Sequence, residues 1–454
     1  MGKYFGTDGF RAEAGVGLTA EAALNVGMAL GEYLKQRGEP PRAVLGKDTR
    51  ISSDMLEAAV AAGLAATGID VRLAGVIPTA GISYLCEKGG FGAGVMISAS
   101  HNPYYDNGIK IIGATGEKMP DTEEEKIEQF IDTGVKLATR GGIGRITRAD
   151  ALAEEYATHL ISGASFKLDG MRIGLDTASG AAYTVAERVL RVLGAEITRC
   201  DPEPNGININ EGVGSTHPEA LAELVISHGL DLGIALDGDA DRCITVDERG
   251  NILSGDHALY LLSRDMRDKG ELSSSAVVTT VMSNLGLKRA LAAEGISTKE
   301  TPVGDRYVYE KMREGGYSLG GEQSGHTIIG ANAQTGDGIL TAIRLAEIAK
   351  RGSAPLSKLV APLTLLPQKT LSIRVRNKDV IESTGVKNAL SDAEKLICDR
   401  GRIILRKSGT EPVIRITVEA ESLDVCEKLT EKIAASVSKE DAATAQNGGT
   451  GGKI

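Results

Sequence analysis

The sequence predicts an α/β protein with three similar βα domains, whose mixed, mostly parallel sheets lie around a central cleft, plus a smaller C-terminal α+β domain. Short apolar runs that indicate buried strands alternate with helical patterns along most of the chain, as in βαβ units. The chain has 454 residues, which is enough for three or four domains. Its 57 glycines and its lack of tryptophan favour many tight βα turns over an aromatic-rich β-sandwich.

Charge and composition exclude several classes of function. The formal net charge is −10 and no basic patch is interleaved with aromatic residues, so we expect no nucleic-acid partner. No apolar run approaches the roughly 18 residues of a membrane helix, and the first residues lack the layout of a signal peptide. We therefore expect a cytoplasmic protein with no membrane partner. The five cysteines are odd in number and widely spaced, which predicts buried reduced thiols rather than disulfides or a zinc site.

The first domain is predicted over residues 1–150. It opens with a polar, Gly-spaced loop in which Arg11 could contact a phosphate or could be a solvated surface residue. Strands and helices then alternate, which predicts a parallel sheet covered by helices. The predicted strands are 43–45, 70–76 and 95–97, and the predicted helices are 19–36, 52–67, 78–88 and 121–128. The charged turn 46–50 lies at the carboxyl end of a strand, where open α/β sheets bind ligands.

Two further α/β domains are predicted at 151–255 and 256–365, although no residue-level repeat demonstrates duplication. Their predicted strands are 172–175, 195–200, 232–236, 276–282 and 298–301, and their predicted helices are 181–193, 218–228, 285–294, 305–314 and 335–350.

The last domain is predicted at 366–440, after a connector that contains Pro355, Pro362 and Pro367. Residues 371–375 and 414–418 alternate apolar and polar side chains as half-exposed strands do, and 422–436 has a helical pattern. Residues 441–454 are polar and Gly-rich, and they are predicted to form a flexible tail.

A candidate nucleophile follows the apolar run 95–97. Pro103 ends the strand, so the hydroxyl of Ser100 is predicted at the carboxyl end of a sheet. A serine beside an imidazole and a downstream lysine could carry a covalent group, which makes Ser100, His101 and Lys110 candidates. The same residues could instead be ordinary turn formers with a loop histidine.

A candidate metal site follows the apolar run 232–236. Asp237, Asp239 and Asp241 alternate along the chain, so an extended backbone would direct all three carboxylates to one side. Their mutual repulsion calls for a divalent cation, and an all-oxygen set suits Mg²⁺ better than zinc. Haloacid-dehalogenase phosphatases also begin with a strand and Asp-x-Asp, in which the first aspartate is phosphorylated. The third carboxylate here favours a metal cage with the nucleophile elsewhere, at Ser100.

A third loop, 320–326, places a carboxylate, an amide and a hydroxyl together at Glu322, Gln323 and Ser324. Such groups form hydrogen bonds with the vicinal hydroxyls of sugars. Gly-Gly-Glu turns are common, however, so the same sequence could be an ordinary turn. His326 in the same loop could be a general acid or base.

A fourth loop, 406–412, joins two predicted strands of the last domain. Its arginines, hydroxyls and free amides could surround a phosphate dianion, although a plain basic turn would have a similar sequence. The candidate phosphate ligands are Arg406, Ser408, Gly409, Thr410 and Arg415. Together, the four loops predict phosphoryl transfer on a sugar phosphate, in a cleft that a mobile last domain closes.

The four loops read ISASHNP, DGDADR, GEQSGH and RKSGTEP, and in this order the chain resembles the α-D-phosphohexomutase superfamily along essentially its whole length. The segments FGTDGFR, NPYYDNGIK and VGDRYV, with Gln323, are most similar to the bacterial phosphoglucosamine mutases. Two positions depart from the usual form: Ala240 stands where glycine is common, and Lys47 stands where arginine is usual.

The resemblance implies a role for each candidate residue. Ser100 would be the active-site phosphoserine, and its phosphate oxygen would share Mg²⁺ with Asp237, Asp239 and Asp241. Arg242 would neutralise charge nearby, while Lys110, His101 and His326 are alternatives for acid and base. The implied substrate ligands are Arg11, Gly304, Asp305, Glu322, Gln323 and Ser324, with Arg406, Ser408, Gly409, Thr410 and Arg415 on the phosphate that does not react.

The implied activity is the interconversion of glucosamine 6-phosphate and glucosamine 1-phosphate. It would proceed through the phosphoserine and a hexosamine or hexose 1,6-bisphosphate, which also serves as activator. The partner would be a small sugar phosphate, and a homodimer is compatible with the sequence. Three alternatives stay open: a phosphomannomutase or phosphoglucomutase of the same superfamily, a Mg²⁺-dependent sugar phosphatase, and a non-catalytic sugar-phosphate-binding protein.

Overall fold

A computed structural model describes residues 2–6, 8–408 and 412–447 of the chain. The chain forms two units, which we describe separately. The larger unit contains the residues up to Thr280 together with Ile296–Ala361, and the smaller contains Val281–Gly295 together with the described residues from Pro362 onward.

The first sheet of the larger unit has six strands, and residues of these strands and their helices form an extensive apolar core. Its strands in chain order are β1 (Phe10–Glu13), β2 (Arg42–Lys47), β3 (Asp70–Val76), β4 (Ala93–Ile97), β5 (Asp106–Gly113) and β6 (Ile146–Arg148), and its spatial order is β1-β5-β4-β2-β3-β6. Its helices are α1 (Ala20–Arg37), α2 (Ser53–Ala66), α3 (Thr79–Gly89) and α4 (Asp121–Thr133), and α5 (Ala151–Gly163) follows. Strands β6, β3, β2 and β4 are parallel to one another. Strand β5 runs antiparallel to β4, and the edge strand β1 runs antiparallel to β5.

The second sheet has five strands in the order β11-β10-β9-β7-β8. Its elements are β7 (Arg172–Asp176), α6 (Val185–Val192), β8 (Glu196–Arg199), α7 (Glu219–His228), β9 (Leu232–Leu236), β10 (Cys243–Asp247) and β11 (Ile252–Leu253). Strands β8, β7 and β9 are parallel to one another. Strand β10 pairs antiparallel with β9, and β11 pairs antiparallel with β10.

The third sheet has four strands in the order β13-β12-β14-β15, with only the last pair antiparallel. Its part of the chain contains α8 (Gly255–Asp268), β12 (Ala276–Thr280), α9 (Leu285–Ala293), β13 (Ser297–Thr301), α10 (Asp305–Gly315), β14 (Leu319–Gly321), β15 (Thr327–Ile329), α11 (Gly338–Gly352) and α12 (Leu356–Leu359). Helix α9 belongs to the smaller unit, although the surrounding elements belong to the larger one.

The smaller unit is an α+β layer. Its three antiparallel strands lie in the order β16-β18-β17, and its elements after α9 are β16 (Gln368–Arg374), α13 (Thr384–Ile397), β17 (Arg402–Lys407), β18 (Val413–Glu419) and α14 (Leu423–Asn447). The buried carboxylate of Glu419 pairs with Arg402 at 2.7 Å, and it accepts the Leu285 amide at 2.9 Å. This contact attaches the first turn of α9 to the strands of the same unit.

The predicted fold class is confirmed, and most predicted elements lie within a few residues of the observed ones. Strands β5 and β10 were not predicted, because each follows a polar motif that suggested only a loop. The helix predicted at 181–193 begins at Val185. The turn before it contacts the loop that carries Asp237, Asp239 and Asp241, which we call the metal loop, because the Ala181 amide donates to the Gly238 carbonyl at 2.8 Å.

Two further expectations differ from the structure. Helix α14 continues through residues 441–447, which were predicted as a flexible tail, because strong helix formers extend past Ser436. Residues 448–454 lie outside the described part of the chain. All five cysteines are free, but Cys398 is exposed and Cys200 only half-buried, whereas buried thiols were predicted. Within the described residues, no helix is both long enough and apolar enough to cross a membrane.

Helices α1 and α2 approach each other closely at two glycines. A Cβ atom on Gly27 would lie 2.3 Å from the Val60 carbonyl oxygen, and one on Gly63 would lie 2.3 Å from the Leu24 carbonyl oxygen. Because both obstacles are backbone atoms, they cannot move aside as the end of a flexible side chain could.

We expect Gly27→Ala to lower the free energy of unfolding by about 1–3 kcal/mol, because the overlap outweighs the better helix propensity of alanine. Urea unfolding followed by far-UV circular dichroism measures the change. Gly163→Ala is the matched control, since a Cβ at this helical glycine would meet no atom within 4 Å. Equal stability of Gly27→Ala and the wild type would contradict the tight crossing.

A second prediction concerns Glu124 on α4. Burial raises the pKa of this carboxyl from 4.5 to about 7, so the folded protein holds the proton to a higher pH than the unfolded chain does. Stability should therefore fall as the pH rises from about 4.5 to 7. The Glu124→Gln variant should match the wild type near pH 4 and exceed it at pH 8 in urea unfolding. The exposed neighbour Glu125 provides the control Glu125→Gln, and a stability difference independent of pH would refute the assignment.

Candidate active site

The candidate nucleophile lies on a tightly held loop after β4. Ser100 is 1% exposed and its backbone is in the left-handed region, with φ of 52°. Its amide donates to the Ser98 hydroxyl at 3.0 Å, and that hydroxyl donates to Asp48 at 2.7 Å. The side-chain amide of Asn210, from the second sheet's part of the chain, donates to the Ser100 carbonyl at 2.8 Å. These contacts hold the backbone of Ser100 from both sides.

Arg50 supports the same loop from beneath. Its guanidinium is fully buried and pairs with Asp48 at 2.7 Å. It also donates to the backbone carbonyls of Ser100 and Asn102, each at 2.9 Å, and to those of Pro103 and Asp106. Because a guanidinium offers five donors in one plane, a single side chain can satisfy this cluster of carbonyl groups.

The Ser100 hydroxyl lies between a carboxylate and an imidazole. It donates to Asp237 Oδ2 at 2.6 Å, and its oxygen is 3.3 Å from His101 Nδ1. Burial, with the Arg242 and Arg11 charges, lowers the pKa of His101 to about 4, so the ring is neutral near pH 7 and can accept a proton.

Asp237, Asp239 and Asp241 form a buried carboxylate cluster. Each offers one oxygen, and these three atoms lie within 4.8 Å of one another. The three carboxylates were predicted to converge because they alternate along an extended strand. The segment is instead a turn, and Ala240 at its centre has a φ of 57°. Alanine therefore adopts here the conformation for which glycine has no steric cost.

Two oxygens of this cluster make no hydrogen bond, although Asp241 Oδ1 lies 3.8 Å from Arg242 Nε. Asp239 Oδ1 and Asp241 Oδ1 are buried and make no hydrogen bond. An unsatisfied buried carboxylate oxygen is costly, and a hard divalent cation is the partner that would satisfy both atoms at once. The residues present therefore fit a Mg²⁺ site.

Buried cations compensate the charge of the cluster. Lys110 Nζ lies 2.7 Å from Asp239 and 3.9 Å from Asp241, and it also contacts Asp8 at 3.1 Å. Burial tends to lower the pKa of Lys110, but these carboxylates outweigh it and raise the pKa above its ordinary value. Burial and the two neighbouring aspartates raise the pKa of Asp237 well above its usual range. A neutral side chain at Asp237 thus relieves repulsion when no cation is bound.

Both ring nitrogens of His326 have protein neighbours. Nε2 accepts the Gly336 amide at 3.1 Å, so Nδ1 carries the proton and faces Asp241 Oδ2 at 3.6 Å. The ring therefore orients the Asp241 carboxylate rather than presenting a free nitrogen to a substrate.

A cavity of about 300 Å³ lies beside the cluster. It is lined by seven of the residues that the sequence predicted to act together, namely Arg11, Asp241, Arg242, Gly304, Asp305, Glu322 and His326, and also by Asp8. Gly304, which precedes α10, donates its amide to Glu322 at 3.1 Å. Gln323 and Ser324 lie half-buried on the same β14–β15 turn as Glu322.

Two basic residues near the site are paired with carboxylates. Lys47, which stands where arginine is usual, pairs with Glu57 at 2.5 Å and Asp54 at 2.7 Å. Arg11 lines the cavity but also pairs with Asp8 and donates to the Ala99 carbonyl at 3.4 Å. Asp8 itself joins Lys110 and Lys118, so it neutralises part of the positive charge around the cavity.

The predicted phosphate ligands of the last loop lie in the smaller unit. Arg406 and Arg415 are directly opposite on β17 and β18, and Arg406 Nε is buried without a hydrogen-bond partner. Burial and the Arg415 charge lower the pKa of Arg406. A bound anion would reduce the repulsion between these two guanidinium groups. Ser408 is buried nearby in sequence, whereas Gly409 and Thr410 lie outside the described residues.

Several site residues were missed by sequence reasoning. Thr79 donates its hydroxyl to Asp239, and Arg50, Asp48 and Asn210 hold the Ser100 loop. The charged turn 46–50 did mark this strand end as a ligand site, but it carried no sign that Arg50 is buried. Thr79 and Asn210 had no local signal.

Models of four protein domains match the chain in order. They are the phosphoglucomutase/phosphomannomutase alpha/beta/alpha domains I, II and III, at residues 2–137, 154–250 and 254–365, and the C-terminal domain at 371–436. A phosphoglucosamine mutase of Mycolicibacterium paratuberculosis is 46% identical over 441 residues, which are 96% of this chain and 99% of that protein. The chain belongs to the phosphoglucosamine mutase family.

The phosphoglucosamine mutase of Geobacillus thermodenitrificans is 44% identical, over 97% of this chain and 99% of its own length. These matches confirm the family resemblance that the four motifs indicated. They also place the chain among intramolecular phosphotransferases.

Solved structures confirm the fold. A phosphoglucomutase/phosphomannomutase family protein from Burkholderia thailandensis has a TM-score of 0.83 at 24% identity, covering 96% of this chain and 97% of that one. An N-acetylphosphoglucosamine mutase of Aspergillus fumigatus, solved in complex with GlcNAc-6P and magnesium, has a TM-score of 0.67 at 16% identity, covering 97% and 96%.

We expect Asp237→Asn to stabilise the metal-free protein and to abolish its stabilisation by Mg²⁺. The amide is uncharged without having to take up a proton, so it avoids the cost of protonating Asp237 beside the other two aspartates, but it also removes a ligand. Thermal unfolding in EDTA and in excess Mg²⁺ measures both effects, and the exposed Asp169 provides the control Asp169→Asn. A variant that is still stabilised by Mg²⁺ like the wild type would exclude Asp237 as a ligand.

Proposed function

We propose that this member of the phosphoglucosamine mutase family interconverts glucosamine 6-phosphate and glucosamine 1-phosphate through a phosphorylated Ser100. The observation that carries the proposal is the 2.6 Å hydrogen bond from the Ser100 hydroxyl to Asp237, the first carboxylate of a cluster with two unpartnered oxygens. A nucleophile and a Mg²⁺ site are thus in direct contact, as phosphoryl transfer requires.

Asp237, Asp239 and Asp241 would hold Mg²⁺ together with an oxygen of the phosphorylated Ser100. The ion, when bound, stabilises the negative charge of the phosphoryl group during its transfer. Lys110 and Arg242 add positive charge on the protein side. The crystal complex of the Aspergillus relative with magnesium supports this choice of metal.

The reaction consists of two successive phosphoryl transfers, one from Ser100 and one back to it. The P–O bond to Ser100 breaks while a bond forms to the free hydroxyl of the sugar phosphate, which gives a hexosamine 1,6-bisphosphate. The bisphosphate then reorients in the cavity. Its other phosphoryl group is transferred to Ser100, and the isomeric monophosphate leaves. We propose that His101 takes the proton of the attacking sugar hydroxyl and passes it to the Ser100 oxygen as the P–O bond breaks. Its ring is neutral and lies nearest to Ser100, while Lys110 and His326 are engaged by carboxylates.

The cavity supports an amino sugar as substrate. Asp305 and Glu322 line it, and their carboxylates suit the ammonium group that glucosamine carries and that glucose and mannose lack. Arg406 and Arg415, in the smaller unit, are proposed to hold the phosphate that does not react. A hexose 1,6-bisphosphate would serve as activator, because it can phosphorylate Ser100; an Aspergillus fumigatus mutase is known in complex with glucose 1,6-bisphosphate.

Phosphorus NMR of the protein with Mg²⁺, glucosamine 6-phosphate and a trace of glucose 1,6-bisphosphate tests the proposal. We expect a growing glucosamine 1-phosphate signal without inorganic phosphate, and its loss in Ser100→Ala, which has no oxygen to carry the group. The exposed Ser227, on α7, provides the control Ser227→Ala.

Other outcomes would redirect the assignment. Accumulation of inorganic phosphate would indicate a phosphatase. Turnover of mannose or glucose phosphates, with none of glucosamine 6-phosphate, would indicate another mutase of the superfamily. Full turnover by Ser100→Ala would exclude Ser100 as the phosphoryl carrier.

A further inference from the structure

Thr79 contacts the metal loop twice. It is the first residue of α3 and is 6% exposed. Its hydroxyl donates to Asp239 Oδ2 at 2.5 Å, and its backbone amide donates to the Asp239 carbonyl at 3.1 Å. The side chain and backbone of one residue therefore both bind the central aspartate of the cluster.

The position of Thr79 on α3 explains the backbone contact. The first amides of a helix have no partner within the helix, and a preceding polar side chain usually accepts one of them. Pro78 occupies the cap position here and makes no side-chain hydrogen bond. The Asp239 carbonyl takes that place, so the metal loop completes the amino end of a helix that packs on the first sheet.

The hydroxyl contact decides which Asp239 oxygen is available. Oδ2 accepts both Thr79 and Lys110, whereas Oδ1 is buried without a partner. Lys110 is shared with Asp8 and Asp241, so its ammonium group does not fix one orientation of Asp239. The Thr79 hydroxyl has Asp239 as its acceptor and lies on a helix, which makes it the more directional of the two donors.

We propose that Thr79 is a positioning residue for the metal site. By holding Oδ2 of Asp239, it keeps Oδ1 directed toward the oxygens that Asp237 and Asp241 contribute. Partners of metal ligands act in this way in many proteins, and their loss typically costs about 10- to 100-fold in metal affinity. The inference rests on the proposed Mg²⁺ site and assigns no contact between Thr79 and the substrate.

Isothermal titration of the unphosphorylated protein with Mg²⁺, without sugar phosphate, tests the role. Thr79→Val keeps the shape and the backbone amide but removes the hydroxyl donor, so we expect the dissociation constant to rise by about 10- to 100-fold. Thr79→Ser keeps the donor and should bind Mg²⁺ nearly as the wild type does. This rescue separates the hydroxyl from the packing of the methyl group.

Thr67→Val is the matched control. Thr67 is also buried in the larger unit, but its hydroxyl donates to the Leu64 carbonyl at 2.8 Å, at the end of α2. The same exchange there should leave the Mg²⁺ dissociation constant unchanged. Thermal unfolding of each variant in EDTA reports stability separately from affinity.

The outcomes are distinct. Wild-type affinity in Thr79→Val, or equally weak binding by Thr79→Ser, would overturn the positioning role. Failure of the wild type to bind Mg²⁺ would instead overturn the proposed metal site. If Thr79→Val does not fold, Thr79→Ala removes the same donor and must show the same loss of affinity.

Discussion

The larger unit depends on burying three carboxylates at one turn. Asp237, Asp239 and Asp241 repel one another, and their mutual repulsion must be offset by cations or by a bound metal. Other parts of the chain supply the groups that face them, with Lys110 on β5 and His326 Nδ1 after β14. The cluster, which follows a strand of the second sheet, therefore depends on side chains from the parts of the chain that form the first and third sheets.

The nucleophile is held by a different principle. Ser100 is positioned through its backbone, since Arg50 and Asn210 bind its carbonyl and Ser98 binds its amide. Its hydroxyl is left to contact Asp237 and His101. Rigid support of the main chain combined with a hydroxyl that can change partners suits a side chain that gains and loses a phosphoryl group.

Local chemistry in the sequence predicted much of this site. Ser100 and the three aspartates each follow an apolar run, and a strand end with clustered polar residues is recognisable without a structure. Thr79 could not be found in this way, because its partner Asp239 is 160 residues away and a threonine within the predicted helix 78–88 gave no sign of a contact outside that helix. Arg50 was part of a recognised charged turn, but its complete burial depends on carbonyls of a loop that the sequence did not place above it.

The same limit explains the errors in the fold. Strand β5 was missed because the polar segment before it dominated the local pattern, whereas its neighbours β4 and β1 supply the pairing that makes it a strand. The three aspartates were predicted to converge by strand alternation, but they converge on a turn with Ala240 in the left-handed region. The conclusion was the same, although the geometry that produces it differs.

The conformation of Ser100 also restricts which residue can be the phosphoryl carrier. Threonine offers the same hydroxyl, and by chemistry alone it could replace serine. A β-branched side chain at a φ near +52° crowds its own backbone, however, and the loop is held too tightly to relax. Main-chain stereochemistry thus favours serine over threonine at position 100 of this chain, independently of nucleophilic strength.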